Sequence, residues 1–311
     1  MGIEQLNNNG IQYIGKPEAI SKKEKTLIVV GVARGGTSLV AGTLDKLGIF
    51  TGEMSREPVF EDVKLATKFE NRDFKGAKKI IEEYNLHDTW LFKRPSSINY
   101  LNEIDTLVRN PIYLIIFKDI FSVSNRNSIS MKMDVVGGLR RAYSDYEKIL
   151  NFIETSSPNA FLLSYEKIMS NKDFFIDTMI ELTGNEASDN QKSDAHTFIE
   201  PNPKNYLNAS RITRSIGKVG SVKKNRVIGW AKYAYSDKEA TVELYVNNIL
   251  VTSVKAKDFR KHTLDQKIHK TGYCGYVFIL DKKPLKNNDI VSVKVEDEVV
   301  FLNGSNYKYK E

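Results

Sequence analysis

The chain has 311 residues, 41% of them hydrophobic and 10% aromatic, a composition that excludes a disordered or fibrous protein and a length that points to two domains. Its formal charge of +7 is unevenly placed: residues 1–214 hold 28 basic and 28 acidic side chains, whereas residues 215–311 hold 18 and 11. A single cysteine, Cys274, excludes a disulfide framework and a cysteine-ligated metal cluster, and it fits a cytoplasmic, reducing setting.

Residues 1–24 are polar and read as a lead-in, with no basic-then-apolar leader pattern in MGIEQLNNNG. From residue 25 strands and helices alternate. TLIVV at 26–30 predicts a buried strand, and residues 37–47 a helix stopped by Gly48. One long helical region is expected over residues 61–84, then a strand at 89–93 (TWLFK) closed by Pro95. A third strand, IYLIIF at 112–117, precedes helical stretches to about residue 155, in which Leu139, Tyr143, Tyr146, Leu150 and Ile153 recur at helical spacing and read as core. AFLLS at 160–164 is the fourth strand, followed by a helix over 165–183 closed by Gly184. Apolar strands alternating with helices predict an α/β domain, residues 25–214, with a parallel sheet flanked by helices. After Pro201 the pattern changes to short alternating segments: VIGWA, TVELYV, ILVTSVKA, YCGYVFIL, DIVSVKV and VVFL. These predict a C-terminal all-β sandwich, residues 215–311, carrying the whole basic surplus. No apolar run approaches the roughly 20 residues of a spanning helix, so no transmembrane segment is expected.

The strongest chemical signal is strand, glycine loop, helix: Gly31-Val32-Ala33-Arg34-Gly35-Gly36-Thr37-Ser38. Glycines let backbone approach an anion, and the next helix offers unbonded N–H groups with a favourable dipole. Gly31 to Gly36 match the start of a nucleotide phosphate loop, but Thr37 stands where such a loop needs its lysine. The cation here is Arg34, suited to a planar grip on phosphate or sulfonate oxygens.

The loop GVARGGTS resembles the phosphosulfate loop of sulfotransferases that use 3′-phosphoadenylyl sulfate, especially the bacterial type with G-x-x-R-S-G-T-S. Further blocks follow in the family's order across residues 25–185. Phe60-Glu61 resembles its aromatic-Glu element, and Trp90-Leu91-Phe92-Lys93-Arg94-Pro95 its strand ending in Lys. Ile115-Ile116-Phe117-Lys118-Asp119 resembles its 3′-phosphate block, and Leu163-Ser164-Tyr165-Glu166-Lys167-Ile168 its Y-E-x-L segment. The chain departs from the pattern at Gly35 (Ser in the family), Lys118 (Arg), Ile120 (Pro) and Arg126 (Ser).

The resemblance implies a P-loop-like sulfotransferase fold and a donor, 3′-phosphoadenylyl sulfate, that becomes 3′-phosphoadenosine 5′-phosphate, with no metal. It implies that Gly31, Arg34, Gly35, Gly36, Thr37 and Ser38 hold the 5′-phosphosulfate, and that Lys118 and Arg126, with Ser124 or Ser128 adding a hydroxyl, hold the 3′-phosphate. Lys93 is a further candidate for the sulfonate. A general base is needed for the acceptor hydroxyl; Glu61 is the first candidate and His87 the second, with Glu53 and Glu57 behind them. A carbohydrate or glycolipid acceptor, such as a capsular polysaccharide or its precursor, is expected, and an anionic one would suit the basic C-terminal segment. Nucleic acid is not expected, since no basic helix or recognised binding module is present. Trp230, Tyr245, Tyr273 and Tyr276 are either a sugar-stacking platform or core. His262 and His269 lack further metal ligands nearby in sequence. The sequence also accommodates two other readings: a P-loop kinase-like enzyme using ATP, and a non-catalytic glycan-binding protein with a degenerate loop.

Overall fold

The computed structural model describes residues 8–184, 186–200, 215–298 and 300–311. Its contacts divide the chain into two units, Met1–Arg126 with Val136–Ser210, and Asn127–Val135 with Arg211–Glu311. The expected junction at residues 201–214 lies outside the described residues, as do residues 1–7 of the expected lead-in.

The first unit opens with β1 (Ile11–Ile14), then β2 (Lys25–Val30) and α1 (Thr37–Lys46). The expected long helix is two, α2 (Val63–Glu70) and α3 (Phe74–Tyr84), each started by an aspartate side chain: Asp62 accepts from the Lys64 N–H and Asp73 from the Gly76 N–H. These caps satisfy first-turn amides and so reset the helix at residue 73. β3 (Thr89–Lys93), α4 (Leu101–Leu107), β4 (Pro111–Phe117), α5 (Ile120–Met131) and α6 (Val135–Ser156) follow. β5 (Ala160–Ser164), α7 (Tyr165–Ser170), α8 (Lys172–Thr183) and α9 (Asp189–Phe198) complete the unit.

The sheet runs β1-β5-β4-β2-β3, with β2, β3, β4 and β5 parallel and β1 antiparallel to β5. The apolar runs lie in the middle because both faces are covered. Ile28, Val30, Tyr113 and Ile115 pack with α2, α3, α4 and α6 on one face; Leu27, Val29, Leu114 and Ile116 pack with α1, α8 and α9 on the other. Two expectations change. Residues 11–14 are an edge strand, registered Ile11 to Leu163 and Ile14 to Ala160, not a loose lead-in. In α6 the buried stripe is Gly138, Ala142, Ile149 and Phe152, while Tyr143 and Leu150 are 64% and 48% exposed. Each of those two sits one residue, about 100°, beyond the buried stripe.

Besides the end of α5, the described residues of the second unit are all β apart from one turn of helix. Its strands are β6 (Ser215–Lys223), β7 (Arg226–Tyr233), β8 (Ala240–Val246), β9 (Ile249–Ala256), β10 (Asp258–Phe259), β11 (Tyr273–Ile279), β12 (Ile290–Val295) and β13 (Tyr307–Lys308), with α10 (Lys261–Asp265) between β10 and β11. Two antiparallel sheets, β10-β11-β7-β6 and β13-β12-β8-β9, share one core: Val227, Tyr276 and Phe278 from the first meet Val242, Leu244, Val291 and Val293 from the second. The expected sandwich forms. The segment VVFL does not form a strand over its described residues 300–302; the last strand is β13 instead. Among the described residues no helix is long and apolar enough to cross a membrane.

Candidate functional site

Chain order fixes where a ligand can reach the sheet. From β2 the chain passes to β3 on one side, then crosses back to β4 on the other, so the carboxyl ends of β2 and β4 flank a topological switch point. Open α/β sheets bind ligands in the crevice such a reversal leaves. The glycine loop leaves β2 at this place and enters α1 there.

Within the loop, left-handed backbone at Arg34 (φ 69°) and Gly36 (φ 96°) brackets Gly35, an alternation that gathers successive N–H groups around an anion. The Gly35 N–H is already bonded to the Val32 carbonyl at 2.8 Å. Gly36 is the N-cap of α1 and supplies no side chain, so the first-turn amides of Thr37 and Ser38 have no carbonyl within the helix to bond. A Cβ on Gly36 would lie 2.5 Å from the Tyr165 ring, and one on Gly31 would lie 2.8 Å from Ile116 and 2.9 Å from the Thr37 methyl. Packing therefore requires both glycines, and backbone shape requires Gly36 as well.

Tyr165, at the carboxyl end of β5, lies between the loop and Lys118, whose ammonium stands 3.9 Å from the ring centroid. Lys118 directly follows β4, with its N–H bonded to the Tyr146 hydroxyl at 2.8 Å. Asp119 starts α5: its carboxylate accepts from the Ser122 N–H at 2.7 Å, and that bond holds its pKa below the ordinary value. Arg126 and Ser128 both lie in the second half of α5; Ser128 falls in the stretch that groups with the second unit.

Lys93 and Ser38 turn inward. The Lys93 side chain is 2% exposed, and its ammonium donates to Ser38 Oγ (3.1 Å), the Val59 carbonyl (3.0 Å) and Glu61 Oε1 (2.8 Å). An ammonium has three protons, and these are three bonds well matched to them. Ser38 Oγ in turn donates to the Val59 carbonyl at 3.0 Å, leaving its amide rather than its hydroxyl to face an anion. The other Glu61 oxygen accepts from Arg94 Nη1. Arg94 Nε donates to Glu70 Oε1 at 2.8 Å, which also accepts from Ser96 Oγ at 2.7 Å. Burial would lift the Glu70 carboxyl, but the bonds from Arg94 and Ser96 hold it below its ordinary value.

The structure thus joins Ser38, Lys93 and Glu61 directly, and links Gly36 to Lys118 through Tyr165. It does not bring His87 to them. His87 precedes β3 and stacks on Phe50 at 4.1 Å, at the amino end of a strand whose carboxyl end carries Lys93. The strand's own rise separates the two by more than about 13 Å. Glu53 and Glu57 form exposed ion pairs with Lys64 (2.7 Å) and Lys46 (2.8 Å). Arg94 and Glu70 join the cluster through these bonds; in sequence their one signal is the Lys93-Arg94 pair at the end of TWLFK.

In the second unit Tyr276 is fully buried in the core, Trp230 and Tyr245 are half-buried, and Tyr273 is 57% exposed. His269 is buried, its Nδ1 accepting from the Gly272 N–H at 3.1 Å. Among the described residues no group of three or more His, Cys, Asp or Glu could hold a metal. The donor set around the loop (helix amides, Arg34 and Lys118) suits a phosphate or sulfonate and contains no lysine at the position of Thr37.

Fold and loop together define an α/β protein with a glycine loop at a topological switch point. No family model and no curated protein matches the chain. Among solved structures, it is similar to a sulfotransferase domain from the Synechococcus PCC 7002 olefin synthase, at 14% identity and TM-score 0.40, over 58% of this chain and 82% of that one. It is also similar to sulfotransferase STF9 from Mycobacterium avium (13%, TM-score 0.38, 63% and 75%) and STF1 from Mycobacterium tuberculosis H37Rv (10%, TM-score 0.34, 58% and 73%).

Proposed function

We propose that this chain is a sulfotransferase moving a sulfuryl group from 3′-phosphoadenylyl sulfate to a hydroxyl of a carbohydrate or glycolipid acceptor, a surface polysaccharide such as a capsule or its precursor. The observation that carries the reading is the loop: Arg34 and Gly36 in left-handed backbone, open helix amides behind them, and threonine in place of the lysine that ATP and GTP hydrolysis uses. When bound, the donor supplies an activated sulfuryl group on a 5′-phosphate. Arg34 and the amides of Gly36, Thr37 and Ser38 hold that end and offset the charge that grows on it. Lys118, Arg126 and Ser128 serve the 3′-phosphate. Glu61 takes the proton of the acceptor hydroxyl, and Lys93 fixes its carboxylate beside the loop. The second unit docks the glycan, with its basic surplus favouring an anionic chain. The lone, buried Cys274 suits a cytoplasmic setting.

A thermal-shift panel tests this. Stabilisation by 3′-phosphoadenosine 5′-phosphate without metal is expected; stabilisation by Mg–ATP alone would support the kinase-like reading. No response to either nucleotide, with binding to glycans retained, would leave a glycan-binding protein.

A further inference from the structure

Resting on the reading of Glu61 as proton acceptor, we infer that Arg94 is a positioning residue that fixes the Glu61 carboxylate from the side opposite Lys93. A glutamate side chain has three rotatable bonds, and one cation at one oxygen leaves the carboxylate plane free to turn. Here each oxygen has its own cation. Lys93, 2% exposed, meets Oε1 at 2.8 Å, and Arg94 Nη1 meets Oε2. Arg94 is itself anchored: its Nε reaches Glu70 Oε1 at 2.8 Å, and Ser96 Oγ donates to that same oxygen at 2.7 Å. The planar guanidinium fork spans two carboxylates, which an ammonium cannot do with comparable rigidity.

The chain Ser38–Lys93–Glu61–Arg94–Glu70–Ser96 therefore runs from the first turn of α1 to the residues beyond β3. One end is fixed by the anion loop and the other by Glu70 in the last turn of α2. A base works at hydrogen-bond reach of its proton, and losing about 1 Å of placement can lower turnover about 100-fold. Arg94 holds that placement without touching the reacting atoms.

The test uses the full chain with Arg94→Met, Arg94→Lys, Glu61→Gln and the Arg94→Met/Glu61→Gln double variant. Turnover is read as hydrolysis of 3′-phosphoadenylyl sulfate with water as acceptor, affinity as calorimetric binding of 3′-phosphoadenosine 5′-phosphate, and coupling as thermal midpoints. Arg94→Met is expected to lower kcat about 10- to 100-fold while donor KM and product affinity change less than about twofold. Arg94→Lys should recover part of the lost turnover. The midpoint shift of the double variant should fall short of the sum of the single shifts, because both remove the same contact. Unchanged kcat in Arg94→Met, a KM loss as large as the kcat loss, or additive midpoint shifts would overturn the assignment. If the wild-type chain neither binds nor hydrolyses these nucleotides, the sulfotransferase reading fails. The additivity of the midpoints then still decides whether Arg94 holds Glu61.

Discussion

Replacing Gly36 with alanine separates backbone shape from packing at the candidate anion loop. At φ 96° a side chain adds strain of about 1–2 kcal/mol. The new Cβ would also sit 2.5 Å from Tyr165 Cδ2, 3.0 Å from Cε2 and 3.2 Å from Ile116 Cδ1. Moving a packed ring to relieve such contacts costs about 1–3 kcal/mol, and the Lys118 contact 3.9 Å from that ring centroid is disturbed with it. The expected loss is about 3 kcal/mol, within a range of roughly 2–5. Each unit holds one tryptophan, so a Trp230→Phe background lets Trp90 report urea unfolding of the first unit alone. In a Tyr165→Ala background the ring is gone, and Gly36→Ala should then cost only the backbone part, about 1–2 kcal/mol. A cost below about 0.5 kcal/mol, or equal costs in both backgrounds, would refute the reasoning.

Lys118→Ala should weaken binding of 3′-phosphoadenosine 5′-phosphate by about tenfold, and by less at high salt, as titration calorimetry at two ionic strengths would show; equal affinity removes Lys118 from the site. Burial lowers the pKa of His269, so protons bind the unfolded chain more tightly than the folded one. The stability of the second unit should therefore be level above pH about 7 and fall as pH drops through the ordinary histidine value of about 6.5. His269→Gln should flatten that slope in urea titrations, and an unchanged slope would exonerate it. If the second unit docks an anionic glycan, binding to polygalacturonate should weaken steeply with salt while neutral dextran stays unbound; salt-insensitive binding speaks against electrostatic docking.

Much of the first unit is legible in sequence because its strands carry nearly continuous apolar runs ended by glycine, proline or a charged pair. The run TLIVV, the loop behind it and AFLLS each reappear as elements with almost the same bounds. β1 was not legible: IQYI is four residues long, and its strand state comes from pairing with β5, a contact 150 residues away. The stripe of α6 is hard to read in sequence because its centre is Ala142, whose small side chain hides the buried face behind the larger Tyr143 and Leu150. His87 could have been set aside from sequence, since a residue before a parallel strand lies at the end away from the loops that bind ligands. The inward turn of Ser38 could not. Residue type does not say whether a hydroxyl meets a ligand or the carbonyl of Val59, 21 residues along the chain.

That inward turn decides what Lys93 does. For its ammonium to meet a sulfonate it must loosen its bonds to Ser38, the Val59 carbonyl or Glu61. Releasing the neutral Ser38 or Val59 acceptor costs about 1–3 kcal/mol, and separating the buried pair with Glu61 about 3–5. A new charge-assisted hydrogen bond returns about 1.5–3, so the bond to Glu61 is the one to be kept. On the proposed reading, the balance favours Lys93 remaining a strut between α1 and Glu61, with Arg34, Lys118 and the helix amides as the candidates for the anion. Lys93→Met should then reduce stability by about 3 kcal/mol, tempered because Glu61 keeps its bond to Arg94. Affinity for 3′-phosphoadenosine 5′-phosphate should fall less than in Lys118→Ala. Urea unfolding and calorimetry on the two variants distinguish the roles. A Lys93→Met protein of normal stability that loses more than about 100-fold in affinity would show the lysine gripping the anion itself.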